Sequence, residues 1–160
     1  MGSWDVTPTD SPEEPRRKRL ASRDELAVKS HRDLEVWKKA IELAKTIYEV
    51  TGSFPKEELF GLATQMRRAS VSVASNIAEG AARQGEKEFM RFLHLALGSA
   101  SEIDTQIEIS IAIGMGDKRR LEELQVSVSE VSRMLHGLIR FLRNKQSTSA
   151  EIVPGNHRSC

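Results

Sequence analysis

Cysteine is almost absent from this chain of 160 residues: Cys160 stands alone, so no internal disulfide can form, and a reducing, cytoplasmic setting is the reading that follows. Proline is nearly as scarce where it matters. Of five prolines only Pro55 falls between residues 33 and 146. A helix interior loses roughly 3 kcal/mol to a proline, so that long stretch is open to long helices. Aromatic residues make up 5% of the chain, too few for a surface that stacks nucleobases. Neither sign of charge is in excess, with 24 Lys and Arg against 23 Asp and Glu and a net of +1. Total charge therefore carries no polyanion-binding signal. No apolar run reaches 18 residues, which excludes a membrane-spanning helix and leaves no membrane partner to expect. A hydrophobic signal segment is missing near Met1, and Val6 stands where a myristoylation pattern needs Ser or Thr.

What is present suits one globular domain. Hydrophobic residues reach 39% and charged residues 29%, well away from the composition of disordered chains. Pro8, Pro12 and Pro15 cluster in a leading segment, residues 1–32, that mixes Ser, Thr and charge with few large apolar side chains. Residues 147–160 are similarly poor in buryable surface. Both are expected to be flexible, disordered tails around an ordered unit at 33–146.

Within that unit four stretches show helical spacing. The first is expected over Asp33–Val50, with Asp33 at its start. Leu34, Trp37, Ile41, Ala44 and Tyr48 make one seam, and Val36, Ala40, Leu43, Ile47 and Val50 a second on a neighbouring face. Trp37 and Tyr48 are expected in the core. Thr51-Gly52-Ser53 ends it. A second helix is expected from Pro55, with Leu59, Leu62, Met66, Ala69 and Val73 as its seam and Gly80 or Gly85 as its stop. Its small residues Ser70, Ser72, Ala74, Ser75 and Ala78 permit a close neighbour. The third runs from Glu86 to Ile113 on Phe89, Leu93, Ala96, Ala100, Ile103 and Ile107. After the turn Gly114-Met115-Gly116, Asp117 is placed to cap the fourth. Leu121, Leu124, Val128, Val131, Leu135, Leu138 and Leu142, spaced 3, 4, 3, 4, 3, 4, are its seam. Short connections between four such helices predict an all-α, antiparallel up-down four-helix bundle.

Several blocks of residues resemble a known family. They are Asp33-Leu34-Glu35-Val36-Trp37-Lys38-Lys39-Ala40, Phe54-Pro55-Lys56-Glu57-Glu58, Gln65-Met66-Arg67-Arg68-Ala69-Ser70, Ser75-Asn76-Ile77-Ala78-Glu79-Gly80 and Lys87-Glu88-Phe89-Met90-Arg91-Phe92-Leu93. Together they are similar to the four-helix-bundle proteins called 23S rRNA intervening-sequence proteins, over about Asp33 to Asn144. One departure is Gly85, where a Ser or Thr cap is expected for the third helix. The resemblance implies a bundle that assembles as a homopentamer. A related group serves diversity-generating retroelements, which makes RNA or DNA and a reverse transcriptase the partners implied.

Enzyme chemistry finds no support in the residues. A di-iron carboxylate bundle needs Glu-x-x-His on two helices, but the helical histidines here follow arginine, as Arg91-x-x-His94 and Arg133-x-x-His136. No zinc-protease motif, phosphate-cradling glycine loop or nucleophile elbow occurs. Cys160 has no neighbouring base. No catalytic residue, metal or cofactor is therefore expected. Gln65, Arg67, Arg68, Asn76 and Glu79 are read as structural or interface polar groups, with Glu79 pairing Arg83 one turn on.

Charge placement says more than charge total. Residues 33–146 hold 16 basic and 16 acidic residues. Folding the helices antiparallel brings Lys38, Lys39, Arg83, Lys87, Arg91, Arg140, Arg143 and Lys145 to one end, against Asp33, Glu35, Glu79, Glu86 and Glu88. Arg83, Lys87, Arg91, Arg140, Arg143 and Lys145 are the candidate nucleic-acid contacts. The expected function is non-enzymatic: a homo-oligomeric nucleic-acid-binding or scaffolding protein. The alternative is a protein-interaction adaptor that binds no nucleic acid.

Overall fold

Why the chain folds as it does is clearest in the fourth helix. Its seam residues Leu121, Leu124, Val128, Val131, Leu135 and Leu142 are all buried, and Ile139 joins them. A computed structural model describes residues 30–150 and gives four helices in order: α1 Glu35–Thr51, α2 Leu62–Ala82, α3 Glu86–Ala112 and α4 Lys118–Ala150. Single 3-10 turns, His31–Asp33 and Lys56–Phe60, precede α1 and α2. The expected tails lie outside the described residues except at their inner edges, where α4 runs on past Gln146 to Ala150. Contacts join α1 to α2, α2 to α3, α3 to α4 and α4 back to α1, which is the cycle of an up-down bundle with short connections. No strand occurs among the described residues.

The core runs the length of the bundle. Ile47, Met66, Ile77, Leu93, Ile103, Ile107, Leu121, Leu124 and Leu135 are fully buried, each worth about 1.5–3 kcal/mol relative to exposure. Of the two seams on α1, only Val36, Ala40, Leu43, Ile47 and Val50 face inward. The expectation that Trp37 and Tyr48 are core residues is corrected: Trp37 is half-buried, and Tyr48 is 50% exposed beside Ile41 at 44%. Two adjacent seams cannot both face one core, and the packing of α2 and α4 against α1 selects the second.

Helix ends also depart from expectation for local reasons. Leu34, not Asp33, occupies the cap of α1, and no side chain caps it; Asp33 sits in the preceding turn. Pro55 opens the 3-10 turn, and α2 starts only after Gly61. The Glu58 carboxylate accepts from the Leu62 N–H at 3.2 Å and so serves that helix start. Asp117 caps α4 as expected, its Oδ1 accepting from the Arg120 N–H at 2.9 Å.

Gly80 does not stop α2. It lies buried inside the helix, where an added Cβ would stand 2.6 Å from the Phe92 Cβ. Glycine here lets the α2 and α3 backbones approach. Arg83 ends the helix, and Gly85 takes φ 110° at the junction, a conformation side-chain-bearing residues rarely adopt. Backbone geometry, rather than loss of a Ser or Thr cap, explains the glycine in that place.

Candidate functional site

Most of the positive charge expected at the basic end is neutralised locally. Lys38 binds Glu35 at 2.6 Å, and that carboxylate's hydrogen bond and charge hold the ammonium's pKa above its ordinary 10.5. Lys39 lies 3.6 Å from Glu42 and 3.7 Å from Glu130. Arg83 pairs with Glu79, one turn back, and Arg91 with Glu88 at 3.3 Å. Both guanidiniums also lie over the Phe92 ring, at 5.3 and 4.5 Å from its centre. Lys145 reaches across to Glu86 at 2.5 Å, tying α4 to α3. Exposed pairs of this kind contribute roughly 0–1 kcal/mol each, so their main effect is to cancel charge.

Three of the six candidate contacts escape this pairing. Lys87, Arg140 and Arg143 are exposed and engage no carboxylate among the described residues. Arg140 and Arg143 share an open groove of about 610 Å³ between α3 and α4 with His94, Arg133, His136 and Ile139. Buried Ile139 lies at its base, and no acidic residue lines it. The structure thus divides the candidates into an ion-paired set, Arg83, Arg91 and Lys145, and an unpaired set.

His94, Arg133 and His136 were not among the expected contacts. Their signal was present in the spacing: Arg133, His136, Arg140 and Arg143 follow one another by 3, 4 and 3 residues, a stripe beside the apolar seam of α4. An arginine three residues before each histidine argues against a bound cation, and the same arginines favour an anion. Among the described residues no group of three or more His, Cys, Asp or Glu is placed to hold a metal ion.

The other polar candidates are distributed over α2. Arg67 Nε donates to Thr51 Oγ1 at 2.8 Å while its guanidinium lies 5.0 Å from the Tyr48 ring centre, so it fastens α2 to the end of α1. Asn76 donates to the Ser72 carbonyl at 2.8 Å and to Ser72 Oγ at 3.1 Å. Ser72 Oγ in turn lies 2.9 Å from Ser99 Oγ, a polar link between α2 and α3. Gln65 and Arg68 line an open cleft with Ser72 and Glu102. These residues do not converge on one site.

A second surface is apolar. Trp37, Ile41 and Ala44 of α1 and Val71, Ala74 and Ala78 of α2 line an open groove. Val71 is 48% exposed, and Tyr48 extends the same stripe of α1. Among the described residues no helix is long and apolar enough to cross a membrane.

Comparison with known proteins agrees with this architecture. Residues 32–137 match the 23S rRNA-intervening sequence protein family. A crystal structure from Bacteroides thetaiotaomicron, of a protein with unknown function from the S23 ribosomal protein family, is 24% identical; the match covers 66% of this chain and 95% of that one, with a TM-score of 0.61. That likeness concerns the fold. No curated protein matches the chain significantly.

Proposed function

The chain belongs to the 23S rRNA-intervening sequence protein family, and from that premise we propose a non-enzymatic, homo-oligomeric protein that binds RNA through its basic end and serves as a scaffold. The observation that carries the binding half is the unpaired set, Lys87, Arg140 and Arg143, at an end where the neighbouring cations are already neutralised. Phosphates are the partners such cations lack. Released counterions make the binding salt-dependent, by about 0.9 log unit per log unit of salt for each duplex phosphate neutralised. Aromatic side chains are not placed in the groove, so contact with the backbone rather than sequence readout is expected.

The oligomer half rests on the outer seam of α1. A monomer needs one apolar stripe per helix, and Ile41, Tyr48 and Val71 stand exposed on a second. The occupant proposed is another copy of the chain, arranged as a homopentamer, the number being taken from the family resemblance. A ring repeats the basic end five times, and multivalency strengthens contacts that are individually weak. A reverse transcriptase is the protein partner that the same resemblance suggests, and it is tested by co-purification of the two proteins.

Two measurements test these proposals. Fluorescence anisotropy with labelled structured RNA and DNA at low salt should show salt-sensitive binding that Arg140→Glu/Arg143→Glu abolishes in a folded protein. Equal binding by the variant refutes the basic-end reading, and no binding by the parent favours the protein-interaction adaptor. Light scattering coupled to gel filtration should give an oligomeric mass that Ile41→Glu reduces to that of the monomer. A monomeric parent at micromolar concentration overturns the assembly.

A further inference from the structure

The groove between α3 and α4 holds five side chains of one chemical sense: His94 from α3, and Arg133, His136, Arg140 and Arg143 from α4. None of the five makes a side-chain hydrogen bond or ion pair among the described residues. The carboxylates nearest in sequence are engaged elsewhere. On α3, Glu86 holds Lys145 and Glu88 holds Arg91; on α4, Glu130 lies beside Lys39. Lys87, two turns before His94 on α3, is also a cation. Three guanidiniums therefore share a groove with two imidazoles and no neutralising partner.

Such an arrangement is electrostatically unfavourable when empty and grows more so as protons are added. Histidine is the side chain that changes charge between about pH 5 and 8. An imidazolium in this groove carries the same sign of charge as the three guanidiniums, and each one adds to the attraction for an anion. The α4 stripe from Arg133 to Arg143 spans about 15 Å at 1.5 Å per residue, long enough to follow several phosphates of one strand at about 3.4 Å of axial rise. The groove is open to solvent, whereas a small ligand has most of its surface buried by its site. A polymer backbone fits that shape.

We infer that the α3/α4 groove is a phosphodiester-binding track for RNA whose occupancy is controlled by protonation of His94 and His136. The inference rests on the RNA-binding reading above and adds to it a location, three further residues and a pH dependence. His94 and His136 here are contacts to backbone phosphates, with Arg133, Arg140 and Arg143 supplying the pH-independent part of the attraction.

The test is anisotropy titration of the full chain with a labelled structured RNA at about pH 8 and about pH 5.5, at constant ionic strength. Parent affinity should rise about fivefold on acidification, the product of roughly two- to threefold for each imidazolium that meets a phosphate, and the salt dependence should steepen. His94→Gln/His136→Gln should bind with the same affinity at both pH values. His94→Arg/His136→Arg should bind at the higher pH as tightly as the parent does at the lower, which keeps the test informative in a gain-of-binding direction. His31→Gln, which alters an imidazole stacked edge-on against Trp37 away from the groove, should leave the pH response intact. A parent that binds RNA equally at both pH values, or a double-Gln variant that still tightens on acidification, overturns the groove mechanism while leaving RNA binding standing. A parent with no salt-sensitive binding at either pH overturns both.

Discussion

Gly80 offers the sharpest test of how α2 packs on α3, because the same substitution at other glycines should have the opposite sign. Replacing a helical glycine by alanine ordinarily stabilises by about 1 kcal/mol, since alanine loses less backbone freedom on folding. At Gly80 the new Cβ would lie 2.6 Å from the Phe92 Cβ, 2.9 Å from the Phe89 Cδ2 and 3.3 Å from the Phe89 carbonyl oxygen. The Phe92 Cβ is tied directly to the α3 backbone, so a rotamer change cannot relieve the contact and the two helices must separate. Overpacking of that kind costs roughly 1–3 kcal/mol, and loosening α2 from α3 removes further buried surface. Gly80→Ala is expected to be destabilising by about 1–2 kcal/mol net, after the helix-propensity gain. Gly98→Ala in α3 and Gly137→Ala in α4 are the internal standards, since a Cβ at either position meets nothing within 4 Å. Each should stabilise by about 0.5–1 kcal/mol. Thermal unfolding followed by far-UV circular dichroism reads the difference, at one fixed protein concentration because assembly links stability to concentration. With roughly 2–8 °C per kcal/mol for domains of this size range, Gly80→Ala should melt several degrees below the parent and the two controls above it. A Gly80→Ala protein that melts at or above the parent refutes the close α2–α3 approach.

Two further substitutions probe single contacts. Asp117→Ala removes the carboxylate that accepts from the Arg120 N–H at the start of α4; the loss should be about 1 kcal/mol, and Asp117→Asn should restore most of it. Chemical denaturation of both variants checks this, and an unchanged midpoint for the alanine variant counts against the cap. Gln106 is 4% exposed, and its Oε1 has no hydrogen-bond partner among the described residues. An unmade buried hydrogen bond costs roughly 1–3 kcal/mol, so Gln106→Leu should leave stability unchanged or raise it by about 1 kcal/mol; a clear loss in the same denaturation assay would show that the amide contributes more than its bond to Glu102.

Most of the fold is legible in the periodicity because apolar spacing reports directly on burial. The seams of α3 and α4 are buried almost residue for residue. Where two seams lie side by side on α1, spacing alone cannot rank them. Which one faces the core depends on how α2 and α4 sit against it, and that is a tertiary fact. Gly80 reads as a stop in the sequence for a related reason. A helix-ending glycine and a glycine that admits a neighbouring helix look identical in one dimension, and only the position of Phe92 distinguishes them. The delayed start of α2 reflects competition at short range, in which Pro55 suits a 3-10 turn as well as a first α-helical turn and the Glu58 carboxylate then supplies the cap one turn later.

The candidate site is legible only in part, and the reason lies in what a count of charges leaves out. Eight basic and five acidic residues at one end suggest a diffuse positive field. Pairing turns that field into something uneven. Arg83, Arg91 and Lys145 each find a carboxylate, two of them on their own helix, so those two pairs are foreseeable from spacings of three and four residues. The Lys145 pair is not, because Glu86 lies on another helix. Once those cations are set aside, the residual positive charge moves along α4 to the stripe of Arg133, His136, Arg140 and Arg143, with His94 facing it from α3. The last acidic residue of α4 is Glu130, which lies beside Lys39, and no acidic residue of the helix follows it along that stripe. Local pairing thus decides where an anion would go.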